Sequence, residues 1–394
     1  MTPERIYLDY AATTPLAPEV CAAMLAVLEN DGFNASSLHA EGRRARAVLD
    51  DARERVAAAL GATRKEIVFT SGGSESDTLA LIGVARARRG RGRHIVSTTI
   101  EHHAVLHALD ALRDDGFEVT LLPVDAVGQV DARAFAAALR EDTILASVMY
   151  ANNEIGTVQP IERLAAAARG RGVVFHTDAI AAPGYLPLAV TALGVDLLSL
   201  SAHKFYGPPG VGVLYVREGT PLQGQIFGGP QEYGRRAGTE NVASIDGLAL
   251  ALERARDGWE ARAAAVAALR DRLEATILAV VPDVVVNGRE ARRLPNVLSV
   301  AFLGVNVEQL LVALDLAGVA VSAGSACTSG SLEPSHVIEA LGAPERARHT
   351  LRFSLGNATT AAQIDRVGAL VSSIVATLRD NLRTPAYETA ADGE

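Results

Sequence analysis

A lysine stands where the chain leaves an apolar, strand-like run. Lys204 follows the run 196–200 in SAHKFYGPPG and precedes a Gly/Pro turn, so its amine is expected at a strand end where other groups can approach. Such an amine can form a Schiff base with an aldehyde cofactor once its neighbours lower its pKa. Taken alone, the residue also fits a surface lysine at a loop entrance, and the surrounding motifs must decide.

Other strand ends carry polar side chains suited to the same chemistry. Asp178 ends the apolar run VVFHTDA, where an unpaired charge is costly to bury and a cationic partner is expected. His102, in TTIEHHAV, can stack on an aromatic ring and move protons, with His103 as a competitor for that role. Asn152 and Asn153, in YANNEIG, can orient a phenolate oxygen or a carboxylate. A helix N-cap for the aspartate and a structural histidine are the alternatives.

The segment IVFTSGGSESDTLAL predicts a strand, a glycine-rich turn and a helix. Gly73 and Ser74 then place backbone N–H groups and a hydroxyl at a helix N-terminus, an arrangement that binds phosphate. The pattern is neither a Walker A motif nor GxGxxG, so an ordinary tight turn is the alternative. Ser201 and His203, just before the lysine, can donate to the same phosphate.

Three more residues have side chains that suit binding or nucleophilic attack. Cys327 lies in VSAGSACTSGSLEPS, where small and polar residues predict an exposed, flexible loop suited to a reactive thiol. Cys21, in PEVCAAMLAVL, falls on an amphipathic helix and is expected only to pack. Arg352, in the strand-like run TLRFSLG, fits bidentate binding of a carboxylate, with an ordinary salt bridge as the alternative.

The elements that must position these side chains alternate between strands and helices. This alternation indicates a largely parallel sheet covered by helices, in which ligands bind beyond the carboxyl ends of the strands. From about residue 251 the pattern changes to one long helix ending near 281, followed by a smaller α+β region. The predicted strands of the first part are 67–70, 94–98, 118–122, 143–149, 173–176, 196–200 and 211–216, and its predicted helices are 75–89, 103–115, 131–140 and 161–171.

The length of 394 residues favours two or three domains. We expect a large domain at 15–253 and a smaller α+β domain formed by 1–14 and 254–394. The smaller domain would carry the cysteine loop, at about 322–334. The tail 380–394 lacks apolar periodicity and is expected to be mobile.

Composition narrows the classes of function. A net charge of -9 argues against a general nucleic-acid binder. The N-terminus, MTPERIYLDYAATTP, has charges where a signal peptide needs an apolar core. Asp196 and Asp315 interrupt the best candidates for a membrane span. Together with only two cysteines, these features predict a soluble, cytoplasmic protein that does not bind a membrane.

Nine motifs, in order along nearly the whole chain, resemble the cysteine desulfurases of the NifS/IscS type. These are class-V aminotransferase relatives within the fold-type I enzymes that depend on pyridoxal 5'-phosphate (PLP). The resemblance implies a large domain with a mostly parallel, seven-stranded sheet between helices, and a smaller α+β domain. The motifs are YLDYAATTP, TSGGSES, EHHAV, NNEIGTVQP, FHTDA, SAHKFYGP, QE-x-G-x-R-x-GTEN at 231–241, SAGSACTSGSLEPSHVIEALG and LRFSLGNATT.

The resemblance also implies a role for each candidate residue. Lys204 would hold PLP in a Schiff base and move the Cα proton of L-cysteine. Cys327 would take the substrate sulfur as a persulfide, release alanine, and pass the sulfur to a protein acceptor. Asp178 would pair with the pyridine nitrogen, and His102 would stack on the ring and handle the proton of the substrate thiol. The phosphate would be held by Gly73, Ser74, Ser201 and His203, together with Thr239 of the partner subunit of a homodimer. Asn153 would contact the cofactor, and Asn153 and Arg352 would bind the substrate carboxylate.

The chain departs from the resembling enzymes in two places. Ala181 stands where they usually have Gln, which removes a donor to the cofactor's phenolic oxygen, and 357–358 lacks their usual Arg-Phe. Iron–sulfur assembly, tRNA thiolation and DNA phosphorothioation all remain open as destinations of the sulfur. The alternatives are a selenocysteine or cystine lyase that forms no persulfide, and an interaction protein that keeps only the fold.

Overall fold

The structure, a computed structural model, describes residues 5–324 and 334–383. Strands and helices alternate through its first two hundred or so residues, as the sequence pattern predicts. The elements are β1 (Ile6–Tyr7), α1 (Pro18–Asn30), α2 (Ala40–Leu60), β2 (Ile67–Thr70), α3 (Gly73–Arg88), β3 (His94–Thr98), α4 (His103–Asp114), β4 (Glu118–Leu122), α5 (Ala132–Ala138), β5 (Thr143–Ser147), α6 (Ile161–Arg169), β6 (Val174–Asp178), α7 (Val190–Leu193), β7 (Leu197–Ser201), β8 (Gly212–Val216), α8 (Val242–Arg256), α9 (Trp259–Val280), β9 (Val284–Val286), β10 (Val297–Phe302), α10 (Val307–Leu316), β11 (Val319–Ala320), α11 (His336–Ala340), β12 (Thr350–Ser354) and α12 (Ala361–Arg383).

Seven strands form the central sheet, in the order β2-β8-β7-β6-β5-β3-β4. The strands β7, β6, β5, β3 and β4 run parallel, and β8 is antiparallel to both of its neighbours. Parallel sheets need apolar side chains on both faces because their crossover helices cover both sides. The predicted α/β class with a mostly parallel, seven-stranded sheet is therefore confirmed.

Two apolar clusters lie on opposite faces of this sheet. Leu198 and Leu200 belong to one cluster and Leu197 belongs to the other, because alternate residues of a strand point to opposite faces. The helix α3 packs against β5, β6, β7 and β8 on the second face. Consequently, side chains on that face near the ends of β6 and β7 lie next to the start of α3.

A third cluster joins the N-terminal strand to the C-terminal third of the chain. It extends from Ile6 to Val375 and includes residues of α9, α10, β12 and α12. The strand β1 pairs in parallel with β11, and β12, β10 and β9 form an antiparallel sheet. The expectation that the N-terminus packs with the C-terminal region is confirmed, whereas the domain bounds at 14/15 and 253/254 stay a prediction.

One predicted helix is wrong. The stretch 251–281 was expected to be continuous, but it is divided between α8 and α9, with Gly258 between them at φ 64°. This left-handed conformation is one that glycine adopts without steric cost, so the chain turns there. The helix α2 was not predicted, because its charged residues hide the apolar spacing of Ala45, Leu49 and Val56.

The C-terminal helix α12 is a candidate for a membrane span by length and composition that the sequence reading did not include. Within the described residues, the segment Ala361–Asn381 is long and apolar enough to cross a membrane by length and composition alone. Helices that pack in a protein core can meet the same criterion. Here Ile364, Val367 and Val371 are buried in the third cluster.

Candidate active site

A cavity of about 340 Å³ lies at the carboxyl ends of β3, β5, β6 and β7. This is the location expected for a ligand site in a parallel sheet. It collects ten of the residues that the sequence singled out. They are Gly73, Ser74, His102, Asn153, Asp178, Ala181, Ser201, His203, Lys204 and Arg352.

The outcome differs for two other predicted site residues. Thr239 is exposed and does not line it, which leaves its role at a partner's site untested. Cys327 lies outside the described residues.

The amine of Lys204 is held by the N-terminal segment. It comes at the end of a 3-10 turn, Ala202–Lys204, directly after β7. Its Nζ donates to the carbonyl oxygens of Ala11 at 2.6 Å and Ala12 at 2.8 Å. The motif YAATTP therefore presents backbone acceptors to the lysine, a function that its sequence did not reveal.

The carboxyl group of Asp178 is buried at the end of β6. Its Oδ1 accepts a hydrogen bond from the backbone N–H of Ile180 at 2.9 Å. Burial raises the pKa of Asp178 to about 6, although this N–H and the positive charge of Lys204 oppose the rise. A buried carboxylate of this kind can bind a cationic nitrogen of a ligand in the cavity.

The ring of His102 caps the start of α4. Its Nδ1 accepts a hydrogen bond from the backbone N–H of Ala104 at 3.1 Å, which leaves the proton of the neutral ring on Nε2. Burial, followed by the charge of Lys204, lowers the pKa of His102 to about 4. The imidazole is therefore neutral at physiological pH.

The glycine-rich turn before α3 fits closely against β7. Gly72 has φ 153°, and a Cβ atom on Gly73 would lie 2.2 Å from the side chain of Ile180. A side chain at position 73 would displace Ile180, and Ser74 and Ser201 line the cavity beside this turn. A helix N-terminus with adjacent hydroxyls is a site where an anion binds.

His203 stands at the same end of the cavity. Its Nδ1 is 3.2 Å from the hydroxyl of Thr13, and its backbone carbonyl accepts from Thr14. Burial and the charge of Lys204 lower the pKa of His203 to about 4. The ring is therefore a neutral hydrogen-bonding group at the predicted phosphate site.

Arg352, on β12, also lines the cavity. Its Nη1 donates to the Asn153 carbonyl at 2.9 Å and its Nη2 to the Asp9 carboxylate at 2.9 Å. Its Nε is buried and has no hydrogen-bond partner among the described residues. The guanidinium is thus fixed by two contacts and keeps an unsatisfied donor.

The two neighbouring asparagines have different positions. Asn152 is fully buried: its amide donates to the Ile100 carbonyl and accepts from the backbone of Glu154 and Ile155. It holds the loop after β5, while Asn153 lines the cavity. Of the two candidates, Asn153 alone can reach a ligand there.

Sequence reasoning missed two buried acids near the cavity. Glu101, which directly precedes His102, is fully buried and lines the cavity. Asp77, in the second turn of α3, is also fully buried. The position of Glu101 beside a candidate histidine, in TIEHH, was a signal in the sequence. Asp77 had no such signal, because only the fold brings it close to Asp178.

The two departures from the resembling enzymes fall at cavities. Ala181 lines the main cavity and offers only a methyl group where Gln is usual. Asn357 and Ala358 line a neighbouring cavity of about 590 Å³, which also reaches Lys204. The smaller residues at 357–358 therefore leave open space on a second side of the lysine.

Comparison with known proteins agrees with this arrangement. Residues 6–367 match the protein family described as Aminotransferase class-V. The chain is 48% identical over 375 residues to the cysteine desulfurase IscS of Dictyoglomus turgidum, with 95% of each chain covered. It is 47% identical over 377 residues to the cysteine desulfurase NifS of Azotobacter vinelandii, with 95% of this chain and 94% of that relative covered. A solved structure described as a NifS-like protein is similar with a TM-score of 0.89 at 35% identity, covering 95% of this chain and 100% of the other.

Proposed function

The chain belongs to the class-V aminotransferase family, and we propose that it is a cysteine desulfurase that converts L-cysteine to L-alanine and holds the sulfur on Cys327. The observation that carries this proposal is the cavity in which Lys204, Asp178, His102 and Arg352 meet. The Lys204 amine can attach the cofactor covalently, and the Asp178 carboxylate can balance a positive charge on its ring. The neutral imidazole of His102 can exchange protons, and the Arg352 guanidinium can bind the substrate carboxylate.

Enzymes of this family depend on PLP, and the residues of the cavity fit that group. Lys204 offers the amine for a Schiff base, and Asp178 offers a carboxylate for the ring nitrogen. The turn at Gly73 and Ser74, at the N-terminus of α3, would hold the phosphate, and the glycine at position 73 avoids a clash with Ile180. Ser201 and His203 add donors at the same end. Bound there, PLP supplies an electron sink for the bonding electrons at the substrate Cα.

The protein's own groups would then bind and orient the substrate. Arg352 lines the cavity with Asn153, and its guanidinium would bind the carboxylate of L-cysteine. His102 carries its proton on Nε2 and can exchange it with the substrate thiol. Lys204 would be the base that moves the Cα proton.

Sulfur transfer would use the second reactive group of the chain. The thiolate of Cys327 attacks the sulfur of the substrate, the Cβ–S bond breaks, and the electrons of that bond stay with the carbon that becomes the alanine methyl group. The persulfide on Cys327 then passes its outer sulfur to a protein acceptor. Cys21, the second cysteine, lies on α1 and does not line the cavity, so it serves as an internal control.

A homodimer would complete the phosphate site with Thr239 of the partner subunit. Exposed apolar side chains in the described chain support a surface that a second subunit would cover. They include Leu28, Leu38 and Phe227. Such side chains are costly to leave in water and mark protein interfaces when they are grouped. A cytoplasmic location stays a prediction.

Alanine release from L-cysteine tests the proposal. With PLP added, the wild-type protein should form alanine and gain one sulfur atom on Cys327, detected by mass spectrometry. Lys204→Ala should lose both the visible absorption of bound cofactor and alanine formation, and Cys327→Ser should lose alanine formation. Cys21→Ser should behave as wild type. Unchanged alanine production by Cys327→Ser would disprove the persulfide route.

A further inference from the structure

Three buried carboxyl groups lie close together at the cavity, and only one of them has a role in the proposed function. We call Asp77, Glu101 and Asp178 the acid cluster. Their exposed fractions are 0%, 0% and 5%. Each interacts electrostatically with at least one of the others. Like charges in a buried site strongly oppose one another, so the three groups cannot all be ionised.

Hydrogen bonds distinguish the members of the acid cluster. Asp178 accepts a backbone N–H and is stabilised by the charge of Lys204. Glu101 accepts the Thr98 hydroxyl at 2.7 Å and a backbone N–H at 3.0 Å, both through Oε1, while its Oε2 is buried without a partner. The two carboxylate oxygens of Asp77 are buried, and only the nearby Ser199 hydroxyl favours their ionised form. Asp178 is therefore the member best able to hold a negative charge.

The histidine next to Asp77 does not supply a compensating charge. His176 lies two residues before Asp178, on the same face of β6, and its Nε2 is 3.6 Å from Asp77. Both ring nitrogens contact serine hydroxyls, Ser147 at 2.8 Å and Ser199 at 2.9 Å. Burial lowers the pKa of His176 to about 3, so the ring is neutral. A neutral ring at 3.6 Å makes neither an ion pair nor a hydrogen bond.

We infer that Asp77 and Glu101 keep their protons at neutral pH, so that the acid cluster carries a single negative charge and that charge lies on Asp178. Asp77 and Glu101 are then positioning residues. They act on the ring nitrogen only through the carboxylate of Asp178. Their functional role rests on the proposed function, but their protons are a property of the protein without cofactor.

The two protons should be lost at different pH values. Burial raises the pKa of Glu101 to about 8, while burial and the charge of Asp178 raise the pKa of Asp77 well above its usual range. Because two hydrogen bonds to its Oε1 stabilise the ionised form, Glu101 is expected to ionise before Asp77, giving the acid cluster a second negative charge. The titratable groups that face the cluster are His176 on β6, His102 after β3, Lys204 after β7, and His336 on α11, whose ring donates to the Glu101 carbonyl.

Infrared spectroscopy of the full-length apoprotein counts these protons directly. A protonated carboxylic acid has a C=O stretching band that a carboxylate lacks. At pH 7, Asp77→Asn and Glu101→Gln should each remove part of this band. Asp142→Asn, which changes a half-exposed carboxylate paired with Arg140, should remove only carboxylate absorption. If Asp77→Asn or Glu101→Gln also removes only carboxylate absorption, that residue is ionised and the inference is wrong.

The absorption of bound PLP tests the positioning role. The wild-type spectrum should change near pH 8, as Glu101 ionises, and Glu101→Gln should abolish that step. If Glu101 only fills space, Glu101→Gln should show the same pH profile as the wild-type protein. Identical profiles would therefore overturn the positioning role of Glu101. Melting temperatures show that both variants fold. If the wild-type protein binds no PLP, the proposed function fails, while the infrared measurement still decides the proton count.

Discussion

The buried Arg352 forms an ion pair with the partly exposed Asp9, with Nη2 of the arginine 2.9 Å from Oδ1 of the aspartate. The arginine lies on β12, and the aspartate follows β1. The Asn153 carbonyl fixes the other terminal nitrogen, so the guanidinium cannot rotate. The Nε of the same guanidinium is buried and has no hydrogen-bond partner among the described residues.

Replacing Arg352 with lysine should weaken substrate binding. Lysine keeps the charge but cannot contact Asp9, the Asn153 carbonyl and a ligand at once. Loss of a charged hydrogen bond costs about 1.5–3 kcal/mol, so KM for L-cysteine should rise about 10- to 100-fold. Steady-state alanine formation measures this, with Arg133→Lys on the exposed side of α5 as the control. An unchanged KM would contradict the assignment.

Replacing Asp178 with asparagine should separate binding from chemistry. The amide keeps the shape but cannot balance a cationic ring nitrogen, so the electron sink weakens. Turnover should fall by roughly 100-fold or more, equivalent to about 2.7 kcal/mol in the barrier. The measurement is kcat at saturating L-cysteine and PLP. Asp142→Asn, far from the cavity, should keep wild-type turnover; a similar fall in both variants would indicate a general loss of structure.

Replacing Ala181 with glutamine should change the bound cofactor. The new amide adds a donor beside the predicted position of the phenolic oxygen and favours its anionic form. The pH midpoint of the visible absorption should therefore move to a lower value. Ala181→Leu has similar bulk but no amide and should leave the midpoint unchanged. A shift of equal size in both variants would attribute the effect to volume.

The stability of the apoprotein should fall on the acid side because His176 is buried in its neutral form. The pKa of His176 is about 3 in the folded protein, against 6.5 for an ordinary histidine. Between these values the unfolded chain binds a proton that the folded chain does not. The stability present above pH 6.5 is therefore lost as pH falls toward 3, by up to about 1.4 kcal/mol per pH unit.

Urea unfolding at several pH values measures this slope. His176→Asn should reduce the acid-limb slope by about one proton, even if the variant is less stable at every pH. His107→Asn, at an exposed position on α4, should retain the wild-type slope. A slope that does not change in His176→Asn would show that the histidine is already protonated in the folded state.

The sequence predicted the residues that end strands better than it predicted their protonation. Lys204, Asp178 and Asn153 follow apolar runs, and parallel sheets bring such positions to one edge. Asp77 could not be predicted as a site residue, because nothing in the sequence of α3 distinguishes it from other polar helix residues. Only the packing of α3 on β6 places it near Asp178. Similarly, the break at Gly258 depends on one backbone angle that apolar spacing does not encode.

Thr239 is exposed outside the cavity of its own chain, and this placement has a genetic consequence in the proposed homodimer. Each catalytic centre would be formed by residues from both subunits. In a cell that carries a Lys204→Ala allele and a Thr239→Ala allele, one centre of every mixed dimer would inherit both defects and the other would inherit none. Two damaged alleles would then restore growth that neither supports alone.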